Sequence, residues 1–302
     1  MRLHRGVTTT LLMPLFTLAS ALPAVAQTKT VAPTKKVAVG GRPAPGQTAR
    51  LNILQAVDLD MKPTEAVAGS PLTAMHLKAK TTTVVSQKIG TPDANGAVQV
   101  DMTYEDMTQD VTINDQPAPP EALETAAKMK GKTLSMTVDA NGDVTEVTPP
   151  PDLPMPAAMM AAMKDMLKQA LGLMARQEMT IGETVSAPFE MPMPVPMPGD
   201  PPQLKGALKS TLTGVSGPAG SEVAALEQVV TAGVDSTMPG PEGGDIAIKM
   251  QVTGRGTSDW DVRGALVIAS KMTTSIAGTI AVPRYGTMQL TGTTVVSLER
   301  VQ

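Results

Sequence analysis

The tetrapeptide Asp-Ala-Asn-Gly occurs twice, at 93–96 and 139–142, each time between runs that alternate apolar and polar residues. Asn-Gly accepts the positive φ that a tight reversal needs. After the first copy, Val98, Val100, Met102 and Tyr104 alternate with Gln99, Asp101 and Thr103. Leu134, Met136 and Val138 precede the second copy, and Val144 and Val147 follow it. Period two sets one face of an extended chain against a core and the other in water. The two segments therefore predict antiparallel hairpins. Strand signals continue at Thr81–Ser86, Val111–Ile113, Leu208–Val215 and Glu222–Val230, and again at Ile246–Val252, Leu266–Ile268, Thr279–Val282 and Met288–Leu298.

Two segments carry helical signals. Pro119-Pro120-Glu121 opens a short helix that Gly131 would stop. Between Pro156 and about Gln177, Met159, Met163, Met166, Ala170 and Met174 recur at helical spacing, with Leu167 and Leu171 widening the stripe. The tract Met191-Pro192-Met193-Pro194-Val195-Pro196-Met197-Pro198 predicts extended, polyproline-like chain. The expected architecture is α+β, mostly β: antiparallel, half-barrel-like sheets with a central Met-rich amphipathic helix. The expected divisions are an N-terminal β region at 51–150, the helix and Met/Pro-rich segment at 151–203, and a C-terminal β region at 204–302.

The N-terminus has the order of a cleavable export signal. Arg2 and Arg5 precede an apolar stretch over 11–19, which leads to Ala24-Val25-Ala26 before Gln27. The stretch is shorter than the roughly 20 residues of a spanning helix, and no second apolar span follows. The expectation is a signal peptide at 1–26, a flexible leader at 27–50, and a periplasmic or extracellular location. Lys29, Lys35, Lys36, Arg42 and Arg50 make the leader basic, which fits a solvated linker.

Composition narrows the chemistry. There is no Cys, which removes thiol nucleophiles, disulfides and a lipid-modified Cys. A net charge of −3 argues against nucleic acid as a partner. After cleavage His76 is the one imidazole, and a lone His is usually a packed or surface residue. Gly214-Val215-Ser216-Gly217 falls short of a nucleophile elbow because Pro218 replaces the last Gly. Gly254-Arg255-Gly256 lacks the third Gly of a dinucleotide fingerprint. Asp139, Asn141 and Asp143 open like a calcium loop, but Pro150 stands where its last ligand should be. Asp259 and Asp261 flank Trp260 as a glycosidase pair could, in a chain that is only 2% aromatic. Ten of the 22 Met lie between Met155 and Met197, and Met191, Met193 and Met197 have the loose spacing of a thioether site for Cu(I). Met also fills irregular core space where rings are missing.

Scattered motifs resemble a family of uncharacterised bacterial exported proteins and lipoproteins, defined as a domain of unknown function. They are the strand Val98–Tyr104, Gly131-Lys132 with Val138–Val144, Ile181-Gly182-Glu183-Thr184-Val185, and Gly254-x-Gly256 leading to Trp260-Asp261-x-x-Gly264. The chain departs from the family in lacking the lipobox Cys and in placing Val185 where an aromatic is common. The resemblance implies an envelope location and a β-rich fold, and it brings no catalytic residues. The leading expectation is a non-enzymatic envelope or secreted protein that binds an apolar ligand, a lipid or acyl chain, between sheet and helix. The alternative is a periplasmic copper-handling protein using the Met-Pro tract, and a secreted hydrolase ranks last. No catalytic, cofactor-binding or metal-ligating residue is assigned, no cofactor is expected, and no transmembrane segment is expected in the mature chain.

Overall fold

The computed structural model describes residues 36–65, 70, 72–120, 123, 128–150, 168, 176–192, 202–240 and 244–301. Its strands are β1 (Val37–Val39), β2 (Thr48–Pro63), β3 (Met75–Ile89), β4 (Val98–Ile113), β5 (Gln116–Pro117), β6 (Thr133–Val138) and β7 (Val144–Thr148). They continue with β8 (Gln177–Met179), β9 (Thr184–Pro192), β10 (Gln203–Ser216), β11 (Val223–Pro239), β12 (Asp245–Asp261), β13 (Leu266–Val282) and β14 (Gly286–Val301). β1 and β8 form a two-stranded ribbon. The other twelve form one antiparallel sheet in the order β7-β6-β4-β3-β2-β14-β13-β12-β11-β10-β9, with β5 beside β4. Most neighbours are sequential hairpins; the long-range seam is β2 against β14, which joins Arg50–Pro63 to Met288–Val301.

Strict alternation is what holds these long strands in register. In β12 every even-numbered residue from Ile246 to Trp260 is buried, and every odd-numbered one is exposed or half-buried. A slip of one residue would turn that whole buried set to water. β11, β12 and β13 each run 17 residues, about 55 Å at strand rise. That is far beyond the usual five or six residues, so a slip would expose an unusually large apolar set.

The sheet is curled. Val37, Val39 and Met179 pack in one cluster with Leu212, Ala224, Leu226 and Trp260 of β10, β11 and β12. Two residues after Val39, Gly41 lies against Gly142 in the turn between β6 and β7: a Cβ built on Gly142 would sit 2.7 Å from the Gly41 Cα. Arg42 donates to the carbonyl of Gly96, in the turn between β3 and β4. In a flat sheet β6 and β11 are seven strand spacings apart, about 34 Å. Two residues span at most about 7 Å. The two flanks must therefore come together at the Trp260 end, which makes a trough with an inner and an outer face. Segment 40–47 closes this end through Ala44 N–H to Gly264 O (3.1 Å), Gly46 N–H to Ile89 O (3.1 Å) and Ile89 N–H to Gln47 O (2.9 Å).

Inner-face glycines accommodate the crowding of a concave surface. Thr274 and Val230 lean over Gly254, where an added Cβ would lie 2.5 and 2.8 Å from their methyl carbons. Leu59 leans over Gly292 in the same way. Glycine inside a strand marks such close approaches.

The α+β expectation is corrected: the structure is nearly all β, and no helix is delimited among the described residues. Most of the helix expected over 156–177 lies outside the described residues. At its end the chain is already extended, because Gln177, Glu178 and Met179 pair with Val39, Ala38 and Val37. The short helix after Pro119 is represented only by helical backbone at Pro120, Leu123, Lys128 and Met129. The expected signal peptide lies outside the described residues.

The Gly41–Gly142 contact gives a test of the closure. Gly142→Ala adds a methyl against backbone at φ +97°, whereas Gly131→Ala adds one at φ +77° with nothing within 4 Å. Both bear the left-handed penalty, about 1–2 kcal/mol. In denaturant titration Gly142→Ala should lose a further 1–3 kcal/mol, roughly the cost of overpacking. Equal losses in the two variants would mean that the flanks do not meet there.

Candidate functional site

Register partners share a face, so the β12 pattern assigns the inner face strand by strand. Ile246 to Trp260 lead through Met250↔Gly278, Gly278↔Leu290 and Leu290↔Met61 to Met75 on β3. In the other direction they lead through Val252↔Ala232 to Gly206 and Phe189 on β9. Charge is sorted by this register. Lys62, Lys78, Lys80, Lys205, Lys249, Lys271 and their acidic neighbours all fall in the outer set. Among the described residues of the main sheet, Arg300 is the one charged side chain in the inner set, opposite Leu51 at the closed end. Its Nη1 lies 3.9 Å from Asp261 Oδ2.

The inner face has three zones. At the Ile246 end, Leu59, Leu77, Val234, Ile246, Ile248 and Ile276 belong to one apolar cluster. At the Trp260 end, one cluster centres on Trp260 and another on Val98, Val100, Met136 and Val147. Between them runs a band of uncharged polar residues: Gln55, Thr81, Thr83, Ser210, Ser258, Ser270, Thr274 and Thr294. All are buried, Thr294 and Ser270 to 2% exposure. Ser258 Oγ accepts from the Trp260 indole at 3.0 Å. The hydroxyls of Thr81, Ser270, Thr274 and Thr294 have no hydrogen-bond partner. Each such group costs about 1–3 kcal/mol. The four lie on β3, β14 and β13, with Gln55 of β2 between, so the cost is concentrated in one part of the inner face.

The residues singled out in the sequence lie elsewhere or do structural work. His76 Nε2 is 2.8 Å from Asp58 Oδ1 on the outer face. Asp139 Oδ1 accepts the N–H groups of Asn141 (2.8 Å) and Asp143 (2.9 Å), as Asp93 Oδ1 accepts those of Asn95 (2.8 Å) and Ala97 (2.9 Å). The two Asp-Ala-Asn-Gly copies are thus the same carboxylate-capped turn. Asp261 Oδ1 caps its own turn through Arg263 and Gly264 N–H, at 3.1 and 2.8 Å. Asp259 points outward, with its pKa raised by burial, and Trp260 faces inward. They do not form a carboxylate pair around a platform. Met191 packs against the inner apolar cluster, while Met193 and Met197 lie outside the described residues. Burial also pushes the Tyr104 phenol above its ordinary value. No group of three or more His, Asp or Glu is placed to hold a metal among the described residues. No helix long and apolar enough to cross a membrane is present among the described residues.

Pairing of β10 with β11 stops at Lys205↔Gly233, although β11 runs on to Pro239. A cavity of about 410 Å³ lies in this notch, lined by residues that include Gln203, Lys205, Asp235, Ser236 and Met238. Ser236 and Met238 belong to the inner set through Ile248 and Ile246. Lys205 is held to Glu190 at 2.7 Å, and Lys249 to Asp235 at 3.1 Å, so the rim charges are paired on the outside.

No protein-family model matches the chain, and no curated protein matches it. Among solved structures it is similar to a chain described as lipid–protein interactions in lipovitellin, with 8% identity and a TM-score of 0.47. The match covers 86% of this chain and 26% of that one, so this chain spans about a quarter of that protein's length.

The capped turns predict an acid signature. Backbone N–H donors, Asp143 first, hold the Asp139 carboxyl below its ordinary value. A depressed folded-state pKa stabilises above the unfolded value, about 3.9 for Asp, and the gain is lost as pH falls through the folded value. Asp139→Ala should lower Tm at pH 6, and the gap to wild type should shrink in scans below pH 4. A gap that stays constant into acid would show that the carboxylate charge is not what holds the turn.

Proposed function

We propose that the chain binds an apolar ligand, a lipid or acyl chain, along the inner face of the curled sheet, and acts without catalysis. The observation that carries this reading is the sorting of charge: an inner face some 55 Å long, apolar at both ends, with Arg300 as its only charged side chain among the described residues. Sites for small apolar molecules are concave and mostly apolar, with a few polar groups. The notch between β10 and β11 is the entrance in this reading, since it leads from paired rim charges to Ser236 and Met238 on the inner face. The basic start, apolar run and Ala24-Val25-Ala26 support export, so the ligand would be met outside the cytoplasm.

Nile red, an uncharged dye, tests the reading. Its fluorescence should rise saturably with stoichiometric protein and fall when a long-chain hydrocarbon competes. A signal that never saturates would count against an internal site. The entrance has its own test: Ser236→Trp should slow dye uptake in stopped flow at least severalfold, with a smaller change in equilibrium affinity. Unchanged uptake would place the entrance elsewhere.

A further inference from the structure

We propose that the polar band on the trough floor is a recognition site for the ester group of an uncharged lipid. The inference rests on the reading of the inner face as a ligand site and adds the ligand's chemical class. Thr274 and Thr294 are direct register partners on β13 and β14, so their β-carbons lie about 5 Å apart. Ser270 lies four residues before Thr274, and Thr81 lies on β3 beside Gln55. All four hydroxyls are more than nine-tenths buried, on the inner face and without a partner.

Hydroxyls can donate to an ester carbonyl and do not carry charge. A carboxylate or phosphate brought to the Thr274–Thr294 pair would be desolvated with no cation beside it, because Arg300 lies six residues farther along β14, about 20 Å toward the closed end, and faces Asp261. The band therefore selects an acyl ester, such as a glyceride or wax-type ester, over a free fatty acid or a phospholipid. The apolar zones on either side would take the chains. A ligand that reaches the band parts the side chains now covering it. Met272, which lies between Ser270 and Thr274 and is buried, is an unbranched thioether suited to that movement.

The test is a displacement series against bound Nile red with methyl oleate, 1,2-dioleoylglycerol, 1-octadecene, oleate and dioleoylphosphatidylglycerol. The esters should displace the dye best, 1-octadecene less well, and the two anions least. In the double variant Thr274→Val, Thr294→Val, affinity for methyl oleate should fall about tenfold, the worth of one good buried hydrogen bond, with 1-octadecene unchanged. Its ligand-free Tm should hold or rise, because valine keeps the shape and removes an unpaired hydroxyl. Should the variant not fold, Ser270→Ala and Thr81→Val read the same contrast singly. Oleate or the phospholipid competing as well as the esters would overturn the inference while leaving an apolar site in place. So would an equal loss for methyl oleate and 1-octadecene, or no loss for either. Failure of Nile red and all five competitors to bind would remove the apolar-ligand reading itself.

Discussion

Gly41 and Gly142 meet backbone to backbone, with no space for a side chain on Gly142. Through this contact segment 40–47 ties the β6–β7 turn to the ribbon that packs on β10, β11 and β12. Without it the main sheet is an open antiparallel layer with one apolar face and nothing to keep that face turned inward. With it the layer has an inside. The trough, with an inner face distinct from the outer one, depends on that curl.

The register then gives each face its chemistry. Because side chains alternate and strands pair in register, the alternation of β12 is carried across the sheet, with its odd–even phase shifted at four bulges: Val84/Val85, Thr137/Val138, Leu212/Gly214 and Asp259/Trp260. All four lie in the half of the sheet nearer Trp260, and bulges increase local twist. The outer face is wetted by Lys, Asp and Thr; exposed pairs such as Arg50–Glu105 and Lys130–Asp106 contribute little to stability there. The inner face is different in kind: it is uncharged for most of its length, and its polar groups are hydroxyls and carboxamides rather than ions.

Much of the strand content is legible in the sequence, because period two is a local signal. Val98–Tyr104 lies within β4, Ile246–Val252 within β12, and both Asp-Ala-Asn-Gly turns are hairpin reversals. Strand length is less legible. In β13 and β14 the inner positions include Ser270, Thr274, Gly278, Gly292 and Thr294, so hydrophobicity fails at buried sites and the strands read as short. Three of them, Ser270, Thr274 and Thr294, belong to the candidate polar band, so the residues that hide these strands in the sequence are also ones that mark the candidate site. The β2–β14 seam joins the two ends of the strand series and leaves no local trace. The Met stripe over 156–177 has helical spacing, but spacing alone does not say where an extended segment such as Gln177–Met179 takes over. Inner-phase glycine is the signal that could have revealed the curl, since it recurs at Gly206, Gly254, Gly278 and Gly292.

A ligand held in the trough would lie against the inner set of side chains and nowhere else. Photo-crosslinking with a diazirine-bearing diacylglycerol, mapped by peptide mass spectrometry, tests it residue by residue. Labels are expected on inner residues such as Ile248, Met250, Ile276 and Leu290, with Thr253, Ser275 and Thr291 of the same strands unlabelled. Labels on the outer set, or spread evenly over both faces, would contradict it.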